Sequence, residues 1–124
     1  MEILKRQHTL KNVDSVQIFM PKHIRKFARD IQDSDDRPRK ERPNLPDIYV
    51  ALAESGLKRM KAQRTDLIFT EIGRQNGSVS AQIKYPKGLH DKMKKIKERT
   101  KISVLSIFVT LIDYEIQCRA TATE

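Results

Sequence analysis

A short stretch of this chain occurs twice, and the repeat limits the folds open to it more than any other feature. Gln17-Ile18-Phe19-Met20-Pro21-Lys22 returns 65 positions later as Gln82-Ile83-Lys84-Tyr85-Pro86-Lys87. Similarity at a fixed spacing means one supersecondary unit used twice. Each copy opens on alternating residues, Ser15 to Phe19 in the first and Ser80 to Lys84 in the second. A period of two marks a strand with one buried face. Proline then ends each strand, because it has no N–H to give to a ladder, and its fixed φ suits the first turn of a helix. A strand-to-helix switch is predicted at Pro21 and at Pro86.

Beyond the prolines the apolar spacing lengthens to helical steps. Ile24, Ala28 and Ile31 match Leu89, Met93 and Ile96, all at i, i+4 and i+7, so each first helix carries a narrow buried stripe. A second helix is predicted from an N-cap at Ser103 through Ile107, Phe108, Leu111, Ile112 and Ile116. Its counterpart starts near Asn44, with Pro46 in the first turn, and sets Ile48, Tyr49, Leu52, Ala53 and Leu57 at the same steps. The units span residues 14–58 and 78–117, separated by a connector, 59–77, and flanked by a basic tail, 1–13, and a C-terminal tail, 118–124.

The first unit also carries an insertion, 32–43, with no apolar residue from Asp33 to Pro43. It reads as a mobile surface loop. Arg37, Arg39, Lys40 and Arg42 are available to phosphate, but Asp33, Asp35, Asp36 and Glu41 offset them. The connector holds an apolar patch at Leu67, Ile68, Phe69 and Ile72 and ends in Gln75-Asn76-Gly77, a turn signal. It is expected to be ordered.

A unit this small, with one strand, cannot cover its own apolar face, and an isolated two-stranded ribbon is marginal in water. The copies are therefore expected to fold together as one α+β domain, mainly α. Two strand-helix-helix units form a pseudo-dimer with a two-stranded antiparallel ribbon and four main helices. Antiparallel pairing turns Val16, Ile18, Ala81 and Ile83 onto the helices. Ser15, Gln17, Phe19, Ser80, Gln82 and Lys84 then project from the other face. Such a ribbon fits the major groove of B-DNA, where glutamine bonds N7 and the N6 amino group of adenine together.

Charge agrees. The 25 Lys and Arg against 16 Asp and Glu leave +9, a surplus that favours nucleic acid or an anionic membrane surface. From Lys84 to Lys101 eight basic residues face only Asp91 and Glu98. Lys92, Lys94, Lys95 and Lys97 individually read as a solubilising helix face. Lys87 and Lys101 lie beside the expected DNA face and read as phosphate contacts. Lys5, Arg6, His8 and Lys11 of the N-terminal tail could add nonspecific contacts.

This order of elements, with polar residues alternating along the strand, resembles the ribbon-helix-helix DNA-binding proteins over residues 14–58 and 78–117. The resemblance implies base contacts from Ser15, Gln17, Phe19, Ser80, Gln82 and Lys84. It implies phosphate contacts from Lys22, Asn44, Lys87, Lys101 and Ser103, since the start of the second helix clamps a phosphate in that family. Helix N-termini also bind anions on general grounds. Phe19 departs from the pattern, because a phenyl ring donates no hydrogen bond; it either meets a thymine methyl group or packs on neighbouring protein. Pro46 leaves the first clamp one amide short. Most members are homodimers, whereas this chain holds both halves, as tandem members associated with plasmid and T-DNA transfer do. That implies double-stranded DNA as partner, a monomer in solution, an asymmetric target and an accessory role beside a relaxase in strand processing.

Other classes fit less well. His8, His23 and His90 show no ligand spacing, and no glycine-rich phosphate loop is present, so neither an enzyme nor a metal or other cofactor is expected. Cys118 is the one cysteine, which excludes an intrachain disulfide and suits a reducing, cytoplasmic setting; the resemblance implies that the cell is bacterial. No apolar run approaches membrane-spanning length, and a membrane-surface helix would need Leu89, Met93 and Ile96, which the core claims. The chief rival is an antitoxin-like protein-interaction module that takes an acidic partner through Lys84 to Lys101, with weak or no specific DNA binding.

Overall fold

The alternating stretches become strands, each one residue longer than predicted. β1 covers Ser15–Met20 and β2 covers Val79–Lys84. In the computed structural model, which describes residues 15–73 and 77–122, they form one antiparallel two-stranded sheet. Gln17 stands opposite Gln82, Ser15 opposite Lys84 and Phe19 opposite Ser80. Ile18 and Ile83 are buried, with Val16 and Ala81 packed at the margin of the core. The ribbon's other face is open to solvent at Gln17, Phe19, Ser80, Gln82 and Lys84.

Pro21 and Pro86, both at φ −56°, hand each strand to a helix. α1 is Lys22–Asp33 and α3 is Lys87–Thr100. The second helices are α2, Leu45–Ala62, and α4, Val104–Ala122. Strand, helix, helix thus occurs twice in order along the chain, giving a mainly helical α+β fold. Two ends overrun the predicted boundaries: α2 passes residue 58, and residues 118–122 are helix rather than tail. Both extensions lack a breaker, and each contains an arginine, Arg59 or Arg119, bonded to Glu115. The N-terminal tail and the turn residues Gln75 and Asn76 lie outside the described residues.

One hydrophobic core draws on both strands and all four helices, as expected for units that cannot close alone. α2 and α4 make its most extensive helix contact, and Gly56 permits it: a Cβ there would overlap the Leu111 carbonyl oxygen. Beside this crossing the buried Glu115 accepts from Arg59 Nε and Nη2 at 2.9 and 3.1 Å and from Arg119 Nε at 2.6 Å. Tyr85 is buried with its ring centroid 4.9 Å from that of Phe108. Its hydroxyl finds no partner among the described residues, and burial pushes its ionisation far up.

The insertion lies largely at the surface and has bonds of its own. It contains a short 3-10 turn, Arg39–Glu41, and Asp35 accepts from both the amide and the guanidinium of Arg37. Those bonds hold the Asp35 carboxyl down at about 2. Gln32 Nε2 donates to the Pro43 carbonyl at 3.0 Å and Arg42 Nε to the Arg37 carbonyl at 2.9 Å. In the connector Phe69 is buried, Leu67 and Ile72 pack on the core, and Ile68 points outward at 85% exposure. Gly77 sits at φ +81°, which accounts for glycine just before β2.

Candidate nucleic-acid interface

The ribbon face is built by its own geometry. Because side chains alternate and the register sets Gln17 against Gln82, the outward residues form two facing rows around that pair. Gln17 Nε2 donates to Ser80 Oγ at 2.6 Å, which fixes one amide across the ribbon. Ser15 pairs with Lys84 through the backbone at the ribbon's end. Phe19 is 39% exposed. With Leu105, Ile72 and Val109 it lines a small cavity of about 200 Å3, so its ring both packs on protein and offers an apolar edge.

The basic residues expected to meet phosphate fall in two places. Lys22 and Lys87 are the first residues of α1 and α3, exposed directly beyond the ribbon. Lys101 ends α3 in the left-handed conformation, φ 65° and ψ 21°, with its amide bonded to the Lys97 carbonyl. It is exposed in the short turn that leads to α4.

The two helix starts differ. At α2 the Asn44 side chain accepts from the Asp47 amide at 2.9 Å, so it caps its own helix. Pro46 lacks an N–H, and the Asp47 carboxylate adds negative charge to the first turn. This end is a weak anion site. At α4 the Ser103 hydroxyl accepts from the Ser106 amide at 3.3 Å. There a carboxylate already occupies the position expected for phosphate. Glu71 of the connector accepts from the Ser103 amide at 2.8 Å, from the Ser103 hydroxyl at 2.8 Å and from the Ser106 hydroxyl at 3.0 Å. The Ser103 side chain and amide, then Ser106, hold the Glu71 carboxyl below its ordinary range. The α4 start therefore binds an anion, and the anion is the chain's own.

Sequence reasoning assembled the ribbon rows but did not find Glu71. Nothing in the connector's composition separates it from any other surface acid, because its partners lie 32 and 35 positions away. Among the described residues no cluster of His, Cys, Asp or Glu could hold a metal ion, and no helix is long and apolar enough to cross a membrane. His23 bonds Asp113 and His90 stacks on Tyr85, while His8 lies outside the described residues. The fold defines a small, mainly helical α+β protein with one antiparallel ribbon. Comparisons with protein-family models, with curated proteins and with solved structures found no match.

Proposed function

We propose that the chain is a tandem ribbon-helix-helix protein that binds double-stranded DNA sequence-specifically, with its ribbon in the major groove. One polypeptide supplies both halves of a pseudo-dimer. The observation that carries the reading is the register: Gln17 and Gln82 are the same position of the sequence repeat and stand directly opposite each other. In this reading a pseudo-two-fold axis passes through that pair and relates the halves, as in a reader of two half-sites. Away from the axis the halves differ, since the counterpart of Phe19 is Lys84. The target is accordingly nonpalindromic.

Within this reading Ser15, Gln17, Phe19, Ser80, Gln82 and Lys84 contact bases, while Lys22, Lys87 and Lys101 contact phosphate. Asn44 and Ser103 cap the two helix starts expected to clamp phosphate, where at Ser103 the phosphate would have to displace Glu71. The process is accessory work in plasmid or T-DNA processing and transfer beside a relaxase, which rests on the resemblance to tandem members of the family.

Selection from a random duplex pool at about 150 mM salt, followed by titration of the winner against a scrambled duplex, tests this directly. The expected result is a defined nonpalindromic motif bound at least ~1000-fold tighter than the control. Absence of an enriched motif, with weak and steeply salt-dependent binding, would favour the protein-interaction module instead.

A further inference from the structure

The two halves of the molecule differ at one groove. Between the C-terminal half of α2 and the first turns of α3 lies an open cleft of about 430 Å3. Leu57 and Leu89, both buried, belong to its lining, and Glu54, Lys58, Lys61 and Lys92 stand around it. The repeat shows what the other half puts in the equivalent place. Along the first helices Gly88 corresponds to His23 and Lys92 to Phe27. Counted from the caps Asn44 and Ser103, Glu54 corresponds to Asp113 and Leu57 to Ile116.

Where α1 meets α4, the His23 imidazole bonds Asp113 Oδ1 through Nε2 at 3.0 Å. The equivalent place between α2 and α3 lacks that ring. A Cβ on Gly88 would meet nothing within 4 Å. Glu54 makes no hydrogen bond or ion pair with the described residues, and burial raises its pKa, with Lys92 acting the other way. The cleft thus offers a carboxylate without its imidazole, next to apolar side chains and among three lysines.

We propose that this cleft docks an acidic segment of a partner protein through a histidine side chain. The imidazole takes the space Gly88 leaves open and bonds Glu54, as His23 bonds Asp113, and flanking carboxylates of the same segment meet Lys58, Lys61 and Lys92. A ring set against the apolar side chains of Leu57 and Leu89 within a charged rim is how affinity and register are commonly divided at an interface. None of the ribbon's outward side chains lines the cleft, so this docking is independent of the DNA reading.

The test titrates the full chain with a peptide of Asp and Glu residues around one central histidine, followed by NMR shift perturbation. Saturable binding with Kd below about 1 mM is expected, with shifts centred on Leu57, Gly88 and Lys92. The same peptide with alanine for histidine binds at least tenfold more weakly. Gly88→His fills the cleft from within and abolishes peptide binding. Should that variant misfold, Lys92→Glu, an exposed change, weakens the peptide at least tenfold. Equal binding of the histidine and alanine peptides, no saturation by about 1 mM, or full binding by Gly88→His would overturn the proposal. So would loss of duplex binding with intact peptide binding in Lys92→Glu, which assigns the cleft to nucleic acid.

Discussion

At the scale of single residues, the carboxylate of Glu71 decides what the first turn of α4 can accept. It sits on the Ser103 amide and hydroxyl and on the Ser106 hydroxyl, where a DNA phosphate would compete with it. Glu71→Gln keeps an acceptor there and removes the charge. Every duplex, preferred or scrambled, is expected to bind about three- to tenfold tighter, with the salt slope steeper by about one phosphate's worth; unchanged affinity in both titrations would show that no phosphate reaches this helix start. In the proposed reading Gln82 acts on sequence instead. It is exposed on the ribbon opposite Gln17 and outside the core, so if it reads a base, Gln82→Ala should weaken the preferred site by ~1–3 kcal/mol. Scrambled-duplex affinity and thermal midpoint should stay put. The two residues also differ in legibility. Gln82 could be assigned a face from the sequence because alternation with Ile83 fixes it, whereas Glu71 sits in a connector with no period and acquires its role from partners brought in by folding.

The helices began where the sequence said they would, and α2 and α4 ran past their predicted ends. Pro21, Pro86, Asn44 and Ser103 mark helix starts by local chemistry that any reader of the chain can apply. The far end of α2 carries Arg59, which reaches Glu115 across the helix crossing, a tertiary event, whereas Arg119 near the end of α4 meets Glu115 one turn earlier in the same helix. Gly56 is a sharper case. In isolation it weakens α2 by about 1 kcal/mol relative to alanine, yet in the fold it lets α4 approach until only a hydrogen fits against the Leu111 carbonyl. Gly56→Ala therefore sets a propensity gain against an overlap with backbone that no rotamer relieves. The overlap wins, and chemical denaturation should show a net loss of about 2 kcal/mol. Lys101 poses the opposite case, a side chain where glycine is favoured, at φ 65°. Lys101→Gly removes a left-handed strain of roughly 1–2 kcal/mol, so stability should hold or rise while the salt slope for duplex binding falls by about 0.9. A slope equal to wild type would remove Lys101 from the phosphate contacts.

For the molecule as a whole, the question is what joins the second helix of one repeat to that of the other. Apolar packing does most of it, but Glu115, only 1% exposed, adds a charge tied to Arg59 of α2 and Arg119 of its own helix. Burial alone would raise its pKa; hydrogen bonds from the two arginines outweigh that and hold the carboxyl below its ordinary 4.5. A depressed carboxylate stabilises the fold fully above its unfolded pKa and loses that contribution as pH falls through the folded pKa. The loss should therefore begin near pH 4.5 and continue below it. Glu115→Gln leaves two guanidinium groups without their anion. Since both arginines keep partial contact with water, the cost at pH 7 should be about 2 kcal/mol, under the ~3–5 of a fully enclosed pair. Urea denaturation across pH separates this from a packing defect. The gap between wild type and Glu115→Gln should be constant from pH 7 to about 5 and narrow as the wild-type carboxyl protonates. A gap that persists unchanged into acid would mean that Glu115 acts through shape, and that the two halves are held together by apolar contact alone.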